Sequence, residues 1–322
     1  MGDLLAVIHL AFDPFLHLRG PVSADVAYAT LAVAGAIFIA ILMAARFAGR
    51  SGLRTGLPAL RLDDLLFIVL GIIPGAVIGG RLMYALDYLP YYQADPLALV
   101  DPAQGGLSLL GAVIGGAVTG AYIAALLDSA SRWLDVASTS MLLVIGLGKL
   151  AMLLDGGGQG QFWTGAWAVA YVGDGPWLST SAQLPAHPTQ AYEGLWALLG
   201  ILVVLGIHAG PVLRHLPDRV RQAGTWAANR ETLGEPVARG RLRFGYLFLA
   251  ALVWWLVGRI GIAFLWRDEA VVGPLGVEQA AALVVVLAIV VGVLIASMRQ
   301  PRPLATEERW HVGHRRWRLR GG

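Results

Sequence analysis

Seven stretches of the chain, at 24–46, 64–86, 107–127, 137–154, 190–208, 244–266 and 277–298, are almost continuously apolar, with polar residues gathered between them. A helix crosses a bilayer with about 20 apolar residues. The pattern therefore predicts an all-α polytopic membrane protein of seven spanning helices, forming one transmembrane domain over 24–298. Residues 1–23 carry Asp3, His9, Asp13, His17 and Arg19 without a basic start, and are expected as an amphipathic segment in the membrane interface, not a signal peptide.

Charge orients this domain. With the N-terminus outside, 19 of the 24 basic residues fall on one side, including an Arg-rich loop at 209–243 and a polybasic tail at 299–322. That side is expected to be cytoplasmic, which puts the C-terminus there too. The composition, 57% hydrophobic and 14% charged, excludes an ordinary water-soluble or disordered protein, for which about 25% charged residues is usual. Cysteine is absent, which removes disulfides, thiolate metal sites and a cysteine nucleophile. His, Asp and Glu do not cluster at metal-ligand spacing and no P-loop is present, so no metal, cofactor or nucleic acid is expected.

Three basic residues break the pattern. Arg81, Lys149 and Arg259 lie in or at the outer ends of the second, fourth and sixth spans. A charge at that depth costs at least about 2.5–3.5 kcal/mol, so it turns to a cavity or a partner. Three on one side predict a shared anion site. The alternative for each is a carboxylate partner or snorkelling to the headgroups, and Glu193 is the expected partner of Arg81 or Lys149. Arg19 and Arg267 read as solvated. Gln190 and Glu193 share a helix face by their spacing. The loop after the fourth span opens with Asp155-Gly156-Gly157-Gly158-Gln159-Gly160, which could form a nest of backbone N–H groups. Its aromatics suit the headgroup belt. His187, just before a helix start marked by Pro188, reads either as a headgroup-level histidine bonding a loop carbonyl or as a base or phosphate ligand.

The runs Gly79-Gly80-Arg81-Leu82-Met83-Tyr84, Gly105-Gly106-Leu107-Ser108-Leu109-Leu110-Gly111 and His187-Pro188-Thr189-Gln190-Ala191-Tyr192-Glu193 occur in that order. Together they resemble the prolipoprotein diacylglyceryl transferase family, over most of residues 20–298. The resemblance implies a bacterial cytoplasmic (inner) membrane enzyme. Its reaction would move the diacylglyceryl group of phosphatidylglycerol onto the lipobox cysteine thiol of prolipoproteins, releasing glycerol phosphate. Its partners would be phosphatidylglycerol or another anionic phospholipid and the lipobox of a signal peptide. It further implies Lys149 and Arg259 on the phosphate, and Arg81, Asp155, Gly160, Gln190, Tyr192, Glu193 and Tyr28 shaping the substrate site; with Leu110 where the family has its histidine base, His187 at the outer mouth is the surviving candidate base.

The chain departs from the family at several of these positions. Lys149 stands where the family has an arginine, and loses the planar fork that suits phosphate. Met152, Asp155 and Gly157 replace two asparagines and a glutamate, Leu110 replaces a histidine, and Ala263 replaces an acidic residue after Arg259. A second reading is therefore a catalytically silent paralogue that binds anionic lipid or a membrane partner. A small-solute transporter is a third.

Overall fold

A computed structural model of the chain describes residues 7–20, 23–55, 59–101, 106–127, 130–173, 175–214 and 245–298. The polybasic tail, and the Arg-rich loop from 215 to 243, lie outside the described residues. The chain divides into two units, residues 1–284 and 285–322. The site residues described below all lie in the first, and of the described residues only the later turns of the last helix belong to the second.

Seven helices are long and apolar enough to cross a membrane. They are α1 (Tyr28–Thr55), α2 (Leu62–Asp87), α4 (Leu109–Leu126), α5 (Ala130–Ala151), α6 (Thr189–Arg214), α7 (Tyr246–Ala263) and α8 (Val277–Met298). A short α3 (Leu89–Ala94) follows α2. Two boundaries differ from the apolar pattern. Helix α5 begins seven residues before the predicted 137, because Trp133 and Val136 turn inward against Ala44, Ala48 and Ile68. Asp135, which interrupts the apolar run, accepts the Gly245 and Leu247 N–H groups at 2.9 and 3.1 Å, at the start of α7. At the other end, residues 24–27 are strand instead of the first turn of α1.

Four short strands were invisible in the hydropathy. β1 (Ile8–Leu10) pairs in parallel with β4 (Val169–Tyr171), and β2 (Phe15–Leu18) pairs antiparallel with β3 (Ala24–Ala27). Three-residue strands leave no periodic signal, and β1 finds its partner about 160 residues away, which no local pattern records. Within the β2–β3 hairpin, His17 bridges Asp25 at 2.6 Å and Asp13 at 2.7 Å.

Small residues bring the helices together. Gly71, Gly75 and Gly79 recur every four residues along one face of α2 and meet Ile123, Thr119, Gly115 and Gly111 of antiparallel α4. A Cβ at Gly79 would run into the Gly111 carbonyl, and one at Gly115 into the Gly75 carbonyl. Glycine is what lets two backbones approach this closely where lipid offers no hydrophobic drive. The contact fixes the start of α4, where Ser108 N–H donates to the Gly80 carbonyl at 3.0 Å.

Helices α6 and α7 are joined differently. The Trp196 and Trp254 rings stack at 4.3 Å and 6°. Each indole N–H donates to the other's carbonyl, Trp196 to Trp254 at 2.7 Å and Trp254 to Trp196 at 2.9 Å. Gly200 and Gly258 leave the room these rings occupy. This joint sets Glu193, one turn before Trp196, against Arg259.

Candidate functional site

The ends of α2, α5 and α7 and the starts of α4, α6 and α8 gather at one end of the bundle, and a buried ionic network joins them. Arg259 of α7 is 4% exposed and Glu193 of α6 is fully buried. Arg259 Nη1 donates to Glu193 Oε1 at 2.6 Å, and Lys149 Nζ of α5 lies 2.9 Å from Glu193 Oε2. Trp255 Nε1 adds a third donor to Glu193 at 3.2 Å. On its other side, Arg259 Nη2 donates to Glu278 of α8, whose second oxygen accepts from Ser108 Oγ at the start of α4. The Trp266 ring lies 4.5 Å from the Arg259 guanidinium and 5.6 Å from the Lys149 ammonium. Among the described residues, Arg259 Nε is buried with no hydrogen-bond partner.

Two of the three expected cations therefore converge. The third does not: Arg81 is occupied by carbonyls. It donates to Leu99 at 2.9 Å, Gly106 at 3.2 Å, Ala98 at 2.6 Å and Asp101 at 2.8 Å, and sits over the Tyr92 ring at 5.6 Å. It braces the segment after α3, and Glu193 pairs with Lys149 and Arg259 instead. Arg267, expected to be solvated, folds inward as well. Its Nε donates to Gly160 O at 2.6 Å, Nη1 to Thr180 O, and its guanidinium covers Phe162.

The loop between β4 and α6 supplies the remaining candidates. His187 stacks on Trp163 at 4.3 Å and 7°, and its Nδ1 lies 3.4 Å from the Tyr192 hydroxyl, which also accepts from Trp167 at 2.8 Å. Burial pulls the His187 imidazole below its ordinary pKa and keeps it neutral. Among the described residues, no hydrogen bond or ion pair ties His187 to Lys149, Glu193 or Arg259. Gln190 is buried, its amide nitrogen 3.5 Å from the Tyr171 hydroxyl and its Oε1 without a partner.

Asp155 accepts the Gly157 N–H at 2.8 Å, and the turn passes through Gly156 and Gly158 at positive φ, where a side chain would be strained. Burial raises the Asp155 carboxyl against that hydrogen bond. Thr189 Oγ1 donates to Gly158 O at 2.6 Å and ties this turn to the start of α6. Gly160 is packed between the Leu265 carbonyl, Thr189 and His187, which leaves no space for a Cβ. Tyr28 is the first residue of α1, its N–H bonded to Pro14 O at 2.9 Å. Leu110, at the family's histidine position, is fully buried.

Glu278, Ser108, Trp266, Asp87 and Asp268 were not anticipated from the sequence. Asp268 faces Glu278, Arg259 and Lys149, and burial followed by the Glu278 charge raises its carboxyl, with the two cations opposing. The only signal for Glu278 was its isolation as an acid in the first turn of the last apolar stretch.

Residues 16–228 match the family model for prolipoprotein diacylglyceryl transferase. The chain belongs to that family. It is 26% identical over 262 residues to the phosphatidylglycerol–prolipoprotein diacylglyceryl transferase of Bacillus cytotoxicus, covering 79% of this chain and 83% of the relative. The transferases of the same name from Bacillus cereus and Bacillus anthracis are 25% identical over the same shares. The diacylglyceryl transferase match at 16–228 takes in Lys149, His187 and Glu193, while Arg259 and Glu278 follow it.

Proposed function

We propose that this protein moves the diacylglyceryl group of phosphatidylglycerol onto the lipobox cysteine thiol of prolipoproteins, in a bacterial cytoplasmic membrane with its N-terminus outside. The observation that carries the reading is the buried Lys149–Glu193–Arg259 cluster, in a chain of a family whose named relatives perform this transfer. In the reaction the thiol sulfur attacks the glycerol carbon that bears the phosphate ester. A C–S bond forms and the C–O bond breaks, its electron pair leaving with glycerol phosphate. Arg259 and Lys149 would hold the phosphate and stabilise charge on the departing oxygen. The thiol, with a reference pKa of about 8.5, must lose its proton. His187 is the proposed acceptor, since a neutral imidazole at pH 7–8 can take it. Arg81, Asp155, Gly160, Gln190, Tyr192 and Tyr28 would shape the surrounding site, Arg81 and Gly160 by holding backbone.

The test is incubation of the purified protein with phosphatidylglycerol and a lipobox peptide. A thioether-linked diacylglyceryl peptide and released glycerol phosphate are expected. A second reading, a silent paralogue that binds anionic lipid without turnover, is favoured by Leu110, which packs as core where a proton acceptor would stand. Lipid binding without any thioether product would establish that reading and end the first.

A further inference from the structure

The ionic network pairs each of its two cations with a carboxylate and sets two further carboxyl groups beside them. Lys149 and Arg259 face Glu193 and Glu278, and Asp87 and Asp268 crowd Glu278 with two more carboxyl groups. A phosphate arriving here meets no excess of positive charge. Resting on the phosphate site proposed above, we infer that Glu278 is a built-in stand-in for that phosphate: its carboxylate fills the anion position between Arg259 and Ser108, and leaves when the phosphate of an anionic phospholipid enters.

The two acids differ in how firmly they are held. Glu193 is fully buried and faces three donor groups, on Lys149, Arg259 and Trp255. Glu278 is bonded to Arg259, Ser108 and the Asp87 carboxyl, but its side chain is 14% exposed where that of Glu193 is 1%, and only Gln279 and Ala282 are buried among residues 277–284. The backbone need not move. Gln279 donates to Ile260 O at 3.0 Å and accepts the Gly276 N–H at 2.8 Å, which pins the first turn of α8 while the Glu278 side chain swings.

What Glu278 leaves behind suits a phosphate. The vacated position holds Arg259 Nη2 and Ser108 Oγ, and beside it Arg259 Nε is buried and unpartnered. The two non-bridging oxygens of a phosphodiester match those of a carboxylate and take the arginine fork in two bonds. Trp266 keeps both cations in place during the exchange. The consequence is selectivity: a ligand enters only if it outcompetes a carboxylate already in place.

The experiment titrates phosphatidylglycerol in dodecyl maltoside micelles, and soluble glycerol phosphate separately, against wild type, Glu278→Gln, Ser108→Ala and Arg259→Gln. Glu278→Gln is expected to bind phosphatidylglycerol about tenfold more tightly than wild type, a step of 1.4 kcal/mol. Ser108→Ala removes one donor from Glu278 and from the incoming phosphate alike, and is expected to bind within about threefold of wild type. A gain by Glu278→Gln with lipid alone identifies a lipid phosphate as the exchanging group, and an equal gain with glycerol phosphate identifies any phosphate monoester or diester. Unchanged or weaker binding by Glu278→Gln overturns the exchange. If Arg259→Gln loses binding while Glu278→Gln gains nothing, the stand-in falls and the phosphate site survives. If Arg259→Gln binds like wild type, both fall.

Discussion

Arg81 and Arg259 are the same residue type at the same end of the bundle, yet they are held by opposite chemistry. Among the described residues, the hydrogen bonds of Arg81 go to four neutral carbonyls, which satisfy its donors without supplying an opposite charge. Those carbonyls belong to backbone whose path depends on the arginine, so neither side can let go. Arg259 is held by two carboxylates, which cancel its charge, and the more exposed of them, Glu278, is the one proposed to give way to another anion. The first arrangement builds structure, and the second stores a binding site. The depth of a cation in a membrane helix says that it has partners. The charge of those partners decides what it does.

The largest effect expected from this contrast is at Arg259. Arg259→Gln leaves Glu193 and Glu278 facing each other with one cation fewer, and removing one member of a buried pair costs about 3–5 kcal/mol. Phosphatidylglycerol binding should fall about a hundredfold, with a lowered unfolding midpoint in the same preparation. Lys149→Met should lower binding by about tenfold, since Arg259 still neutralises Glu193, and Lys149→Arg should restore or exceed the wild-type value through its planar fork. Equal binding by wild type and Lys149→Met would remove Lys149 from the phosphate site.

Arg81→Gln should do the reverse. It is expected to speed amide exchange over 98–101 and lower stability by about 1.5–3 kcal/mol, the usual loss for hydrogen bonds to a charged group. Its lipid affinity should change less than threefold. A collapse of affinity without faster exchange would make Arg81 a ligand and erase the distinction drawn here.

Two histidines sharpen the comparison through pH. The folded pKa of His187 lies below its unfolded value, so the unfolded chain binds the proton more readily. The stability it contributes is present above about pH 6.5 and declines as pH falls below that. Transfer that depends on it should fall over the same range, and His187→Ala should flatten that limb of the profile. His17 shifts the other way, raised first by its hydrogen bond to Asp25 and then by Asp13. Its contribution is complete below about pH 6.5 and is lost as pH rises through the raised folded value. Because this hairpin is exposed, His17→Ala should move the unfolding midpoint little, and only at the acid end.

The seven spans were legible because each repeats one statement for about 20 residues. The early turns of α5 were not, since Ser131, Arg132 and Asp135 lower the local hydropathy while Trp133 and Val136 still face the core. Lys149 and Arg259 were legible as cations out of place. Arg81 carried the same signal and a different meaning, because sequence does not say whether a buried cation meets a carbonyl or a carboxylate. Glu278 was missed for a related reason: an acid in a first helical turn is already accounted for by the helix dipole. Its link to Arg259 and Ser108 spans 19 and 170 residues and exists only once the helices have assembled.

The reciprocal tryptophan joint between α6 and α7 carries a consequence for inheritance. Trp196 and Trp254 each satisfy a carbonyl the other exposes, and Gly258 and Gly200 exist as gaps cut to those two rings. Losing one indole removes a hydrogen bond and opens a void beside the opposite glycine; filling one glycine expels the ring it faces. A change at one of the four positions should therefore be tolerated only with a matching change at its partner. A chimaera that takes α6 from one relative and α7 from another should assemble only when both donors share all four.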